Sequence, residues 1–237
     1  MQRYFGVRKD DKYLYLEKSD YHHIKNVMRF KDGDIIEVVI DKKLYLGCIE
    51  NVKSDLKILI KKEMNIKSDF IPKVNLIIPL LKENKMDFIL QKACELGVDK
   101  ITIMPLKRCV VKVNENKIKS KITRWMRILK EASEQSYRYY IPDVEFINDI
   151  KKMKKIDGLK ILCSTKKNLD NVKKVLTGVK KCDTINVAIG PEGGFDCSEE
   201  EIFNEYGFVS ATLGDRIMRV ETVPLFIMSI VNYEYME

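Results

Sequence analysis

A chain of 237 residues with 45% hydrophobic and 33% charged content holds enough apolar side chains for one large or two modest cores. Its net charge of +8 suits a polyanionic partner, because surface lysine and arginine displace counterions from a phosphate backbone. No apolar run reaches the roughly 20 residues of a membrane span and the first five residues form no signal core, so a cytoplasmic protein that touches no membrane is expected.

From the N-terminus, residues 1 to about 70 carry short alternating runs at close spacing, over 35–40, 44–49 and 56–60. Asp41-Lys42-Lys43 is short enough for a hairpin, and Asp32-Gly33-Asp34 is a turn signal before a strand. This half reads as a small β-barrel or curled sheet. A short helix over 19–29 is expected, capped by Ser19 or Asp20. Cys48, Cys94, Cys109, Cys163, Cys182 and Cys197 form no CxxC pair and do not cluster with His22 or His23. No metal site or disulfide framework is therefore indicated, and reduced, mainly packing cysteines are expected.

After Ile71-Pro72 the pattern changes. Val74 to Leu81 reads as a strand, followed by a helix with apolar Met86, Ile89, Leu90, Ala93 and Leu96 that Gly97 closes. Strands are expected over 100–104, 159–163, 186–189 and 208–213. A helical face runs through Ile118, Ile122, Trp125, Leu129 and Ala132. Ser198 with Glu201 predicts a capping box for a helix ended by Gly207, and Val223 to Tyr235 reads as an apolar final helix. The alternation predicts an α/β fold with a mostly parallel sheet, and a domain boundary near residue 70.

Two segments, 189–195 and 213–222, each follow an apolar strand-like run and combine glycine with fixed Glu or Arg. Glycine lets backbone approach a ligand, and an open α/β sheet places its chemistry at the carboxyl ends of its strands. Gly190-Pro191-Glu192-Gly193-Gly194 has neither the dinucleotide fingerprint nor the Gly-Lys-Ser/Thr of a phosphate loop. A ligand turn of another kind is expected.

These segments resemble the signature of the RsmE-type ribosomal RNA methyltransferases of the SPOUT (trefoil-knot) superfamily, and the resemblance extends along nearly the whole chain. Arg3-Tyr4-Phe5, His22-His23-Ile24, Val27-Met28-Arg29 and Gly33-Asp34 are similar to its N-terminal domain. Residues 91–98, Arg124-Trp125 and 131–138 are similar to its first catalytic-domain helices. Leu106-Lys107 stands where the family commonly has Ser-Glu, while Arg108 is kept. Met218, Val220 and Val223 replace the usual Leu, Thr and Ala.

The resemblance implies a PUA-like barrel over 1–70 that binds RNA, and a SPOUT α/β trefoil knot over 71–237. It implies S-adenosyl-L-methionine as methyl donor, no metal, and transfer to N3 of a uridine in 16S rRNA, in the small ribosomal subunit. Carried onto this chain, the donor would be held by Ile189, Gly190, Pro191, Glu192, Gly193, Gly194, Leu213, Gly214, Ile217, Met218, Arg219 and Thr222. Such knots usually dimerise, which suggests Leu225, Phe226, Met228 and Ile230 for a two-fold interface, with burial inside one subunit as the alternative. For catalysis, Arg219 or Arg216 suits the oxyanion of a deprotonated uracil, and Glu192 or Glu221 could accept the proton if desolvation raises its pKa. For Glu221, capping or dipole pairing at the start of the last helix is the better-suited role. Arg3, Tyr4, His22, His23, Arg29, Arg108, Gln135 and Arg138 are the expected RNA contacts. Another RNA target such as tRNA, or a non-catalytic assembly factor, stays open from the sequence.

Overall fold

The computed structural model describes all residues except 54, 66–71, 113, 154, 178–182 and 236–237. Two compact units result, Met1–Asp69 with Lys130–Ile141, and Phe70–Leu129 with Pro142–Glu237. The expected boundary near residue 70, Ile71 and Cys182 lie outside the described residues.

The first unit holds β1 (Arg3–Phe5), β2 (Arg8–Lys9), β3 (Tyr13–Tyr15), α1 (Lys18–His22), β4 (Ile35–Ile40), β5 (Lys43–Glu50) and β6 (Lys57–Met64). The strands pair in the order β1-β4-β5-β6-β3-β2. The two outer strands are one stretch of chain, joined through Gly6 and Val7. The Gly6 N–H bonds the Val39 carbonyl and the Val7 N–H bonds that of Tyr15, both at 2.8 Å. The sheet thereby closes into a barrel without a long open edge. Leu14, Ile24, Ile36, Val38, Tyr45, Ile49 and Ile58 fill it.

The expected cap of α1 is corrected. Glu17 precedes the helix without a side-chain cap bond, and a π-helical stretch, His23–Val27, continues it. Asp20 points inward instead, with its carboxylate 2.6 Å from Lys130 Nζ. Lys130 also meets Glu17 at 3.1 Å and Glu134 at 3.7 Å, while the Phe5 N–H donates to Glu134 at 3.3 Å. Three carboxylates thus share one ammonium, with Asp20, Glu134 and Lys130 largely buried and Glu17 half-exposed.

Burial pushes the Glu134 carboxyl up to about 7, with Lys130 pulling it down and Asp20 pushing it up. Burial also raises Asp20. A carboxyl with a raised folded-state pKa stabilises the fold most below its unfolded value near 4.5, and that contribution is lost as pH rises to about 7. The thermal midpoint is therefore expected to fall from about pH 5 to pH 7.5. Glu134→Gln should flatten the slope and be more stable than the parent at about pH 8, by about 1–3 kcal/mol. A difference between variant and parent that does not change with pH in thermal melts would contradict this.

The second unit holds β7 (Lys73–Pro79), α2 (Glu83–Glu95), β8 (Lys100–Met104), most of α3 (Glu115–Gln135), β9 (Asp143–Phe146), β10 (Leu159–Cys163), α4 (Val172–Thr177), β11 (Thr184–Ile189), α5 (Cys197–Glu205), β12 (Val209–Ala211) and α6 (Thr222–Tyr235). Its strands are parallel in the order β12-β10-β11-β7-β8-β9. Near-continuous apolar strands such as Val74–Ile78 and Ile185–Ile189 fit a sheet covered on both faces. Asn186, fully buried, takes a bond from Asn75 at 2.9 Å and gives one to the Asp157 carbonyl at 2.7 Å, so its amide is satisfied inside the sheet.

Gly97 ends α2 and Gly207 ends α5, where the N–H groups of Val98 and Phe208 bond back to Ala93 and Phe203. The capping box of α5 is shifted from the expected one. Asp196 caps the helix and Glu199 answers it, two residues before the Ser198 and Glu201 expected from sequence. No disulfide is present among the described residues. No helix among the described residues is long and apolar enough to cross a membrane.

Candidate functional site

Because β7, β10, β11 and β12 are parallel neighbours, the loops that leave their carboxyl ends gather at one edge of the sheet. Two of these loops are the glycine segments. The first leaves β11 at buried Ile189 and turns at Pro191, whose carbonyl accepts the Gly194 N–H at 2.8 Å. Phe195 closes it, buried against Phe203 with ring centroids 5.3 Å apart, and Phe203 meets Phe208 at 5.0 Å. Such edge-on aromatic pairs add about 0.5–1.5 kcal/mol each beyond burial. A Cβ on Gly190 would stand 3.0 Å from the Phe195 ring, so a side chain there would press on this packing.

The second segment leaves β12 through Thr212. The Thr212 N–H bonds the Asp170 carbonyl and the Val172 N–H bonds that of Thr212, both at 2.9 Å. The chain then passes Leu213 and Gly214 and reaches α6, where the N–H groups of Thr222 and Val223 bond the Arg219 carbonyl at 2.9 and 3.3 Å. α6 packs on α2, and the Asn232 amide donates to the Leu96 carbonyl at 2.9 Å.

Gly194 (φ 72°) and Gly214 (φ 110°) are left-handed, and a Cβ on either would meet no atom within 4 Å. The backbone is thus bare on both turns, which fits a ligand held by main chain. Arg216 and Arg219 are exposed, Met218 is half-buried and Thr222 exposed. Ile217 is 85% exposed, an apolar side chain available to cover a ring.

Arg108 donates to the Gly193 carbonyl at 3.0 Å and faces Asp196 at 3.5 Å. Lys107 bonds Asp196 at 3.0 Å and Ser198 at 2.6 Å through its ammonium, and Glu199 at 2.6 Å through its N–H. The departure from the family pattern at 107 therefore retains polar contacts. These hydrogen bonds, first from the Ser198 hydroxyl and then from Lys107, hold the Asp196 carboxyl down at about 2.

Sequence reasoning missed Lys85. Its ammonium lies 3.0 Å from Glu192 Oε1 and 3.1 Å from Glu221 Oε2, which brings together one carboxylate from each segment. Glu221 Oε2 is buried and receives no directed hydrogen bond, so this ion pair is the compensation in view. For both glutamates, burial pushes the carboxyl up but is outweighed by the Lys85 contact and by backbone hydrogen bonding, and both end below the usual value. That corrects the expectation for Glu192. The raised carboxyl on which that expectation depended is not found: Glu192 is ionised and a weaker base than a free carboxylate.

Two expected RNA contacts are also corrected. The Arg3 side chain is 4% exposed and bonds Glu37 at 2.8 and 2.7 Å. It also donates to the Tyr137 and Arg138 carbonyls and lies over the Tyr137 and Tyr139 rings at 5.1 and 4.7 Å. Tyr4 is 1% exposed with its hydroxyl 2.9 Å from His23 Nδ1, and burial raises its pKa. Neither side chain can stack on a base or reach a phosphate. His22, Arg29 and Gln135 are exposed, His23 is half-buried, and Arg138 lies 4.7 Å from the Tyr140 ring. Met228 is fully buried in its own unit, while Leu225, Phe226 and Ile230 are half-exposed, so the expected interface loses Met228. Among the described residues no group of three or more His, Cys, Asp or Glu could hold a metal ion.

A family model described as an RNA methyltransferase domain matches residues 69–232, and one described as an RNA methyltransferase PUA domain matches residues 16–63. The Bacillus subtilis (strain 168) protein named ribosomal RNA small subunit methyltransferase E is 31% identical over 225 residues, 91% of this chain and 88% of that protein. The Mesomycoplasma hyopneumoniae (strain 232) protein of the same name is 30% identical over 232 residues, 97% and 98%. The crystal structure of a ribosomal RNA small subunit methyltransferase E from Neisseria gonorrhoeae bound to S-adenosyl methionine superposes with a TM-score of 0.86 at 26% identity, covering 99% of this chain and 98% of that one.

Proposed function

The chain belongs to the RNA methyltransferase family, with a SPOUT α/β knot and a PUA-like barrel, and from that premise we infer that it methylates N3 of a uridine in 16S rRNA, using S-adenosyl-L-methionine. The observation that carries the reading is the pair of bare glycine turns at the carboxyl ends of β11 and β12, the two strands that flank β10, followed on the second turn by Arg216 and Arg219. The gonococcal relative bound to S-adenosyl methionine supports the same donor here.

The residues present fit that donor. Main chain of 189–194 and 213–218 would hold the adenosine, with Ile217 offering an apolar cover, and Arg219 and Thr222 would border the transfer space. When bound, the donor supplies an electrophilic methyl group on a sulfonium. The protein's own part is to make the uracil nucleophilic. Uracil N3 is a weakly acidic imide, protonated at neutral pH, and its lone pair becomes available when that proton leaves. A guanidinium aimed at O2 or O4 stabilises the resulting oxyanion through charge-assisted hydrogen bonds. Glu192, held as an anion by Lys85, is a weaker base than a free carboxylate.

The barrel would hold flanking RNA through His22, Arg29, Gln135 and Arg138, while the knot receives a base turned out of its stack. Arg108 would add a contact from the second unit. We further propose a homodimer through Leu225, Phe226 and Ile230 of α6, acting in the cytoplasm on rRNA within the small subunit.

The test is transfer of labelled methyl from S-adenosylmethionine to small-subunit RNA, with calorimetry of donor binding beside it. Label on 16S rRNA is expected, and label on tRNA alone would contradict the target. Gly193→Val serves as the control. Its Cβ would stand 3.2 Å from Arg108 Cβ, so its branches would crowd the turn and weaken donor binding by at least about tenfold, on the scale of an overpacked site. A variant that bound donor as the parent does would contradict the loop assignment.

A further inference from the structure

Lys85 is a charged group in contact with both glycine segments that the proposed chemistry leaves without a task. It sits in the first turn of α2, its side chain 26% exposed, between Glu192 at 3.0 Å and Glu221 at 3.1 Å. Glu192 belongs to the turn after β11. Glu221 belongs to the end of the segment after β12, one residue before α6. The two turns are thus joined by one ammonium, which is rooted in a third element whose Met86, Ile89 and Leu90 are fully buried.

We propose that Lys85 is a positioning residue that ties the two glycine segments together and so sets the gap between them in which the methyl donor lies; this rests on the assignment of both segments to the donor. Without Lys85, Glu192 and Glu221 would face each other as like charges, each disfavouring the other's ionised form. Glu221 Oε2, buried with no directed hydrogen bond, would lose its compensating charge. The relief open to the molecule is to part the carboxylates or to protonate one. Parting them widens the gap, and protonation makes the gap depend on pH. A ligand gripped by backbone on both sides is sensitive to such widening, because its contacts require both turns at once.

The test compares Lys85→Met, which keeps the length of the stem, with Lys85→Arg, which keeps the charge. In the donor-free protein, hydrogen exchange in Lys85→Met should quicken in 190–195 and in 219–223 together. Calorimetry with S-adenosylmethionine should show affinity lowered by about tenfold or more, and more dependent on pH than in the parent, because the two carboxylates lose the charge that neutralises them. Lys85→Arg should restore affinity to within about threefold. Glu192→Gln, which spares the Lys85–Glu221 pair, should loosen 190–195 alone. The proposal is overturned if Lys85→Met binds donor within twofold of the parent, or if only one segment loosens in it. A parent that bound no donor, with both segments still loosening together in Lys85→Met, would remove the donor assignment and leave the tie standing.

Discussion

Arg219→Ala is expected to lower kcat for methyl transfer by about 10²–10³-fold, the cost of removing one preorganised donor to a developing oxyanion, while RNA binding stays within about twofold. Arg219 is preferred to Arg216 for a structural reason. Its carbonyl accepts the Thr222 and Val223 N–H groups, so its backbone is fixed to the start of α6. Arg216 lies on the exposed stretch beside Ile217, where more side-chain and backbone freedom would have to be lost. A planar guanidinium can meet a uracil oxygen through two N–H groups, whereas an ammonium acts as a point charge. Arg219→Lys should therefore recover only part of the loss. Single-turnover rates with saturating donor and RNA check this, and near-parental rates for Arg219→Ala would take Arg219 out of the mechanism.

Arg3→Ala is expected to destabilise the barrel by about 3–5 kcal/mol, the usual cost of removing one partner from a buried ion pair. The side chains of Arg3 and Glu37 are 4% and 17% exposed, and loss of the guanidinium leaves the Glu37 charge with little solvent to receive it. It also removes the cation from over the Tyr137 and Tyr139 rings and frees the two carbonyls that Arg3 bonds. Replacing both partners with apolar residues, Arg3→Met with Glu37→Leu, should restore most of the loss. Urea denaturation reads the effect directly. If Arg3 instead contacted RNA, Arg3→Ala would leave the midpoint unchanged and flatten the salt dependence of RNA binding by about one unit of slope.

The elements with long periodic patterns were legible from sequence. α2 and α5 end at Gly97 and Gly207 as expected, and the strands at 100–104 and 159–163 coincide with those observed. The strands β1, β2 and β3 were not legible, because two or three residues carry no period and owe their conformation to partners elsewhere in the barrel. At the start of α5, Asp196-Cys197-Ser198-Glu199-Glu200-Glu201 contains two overlapping cap patterns. Asp196 prevails, held also by Lys107 and the Ser198 hydroxyl. The proposed site separates in the same way. The two glycine turns stand out locally, because their residue types and the preceding strands lie within a few positions. Lys85 does not, since its partners lie 107 and 136 positions downstream and a lysine in a first helical turn ordinarily faces water. Arg3 was misread for the same reason. An arginine near a terminus looks solvated until Glu37 and the 137–139 segment fold around it.

The modification state of small-subunit rRNA is the most direct readout of the proposed reaction. Mass mapping of 16S rRNA from cells with and without this chain should show one uridine that loses the mass of a methyl group at N3 when the chain is absent, with the mark restored by the parent and not by Arg219→Ala. An unchanged map in its absence would contradict the proposed reaction.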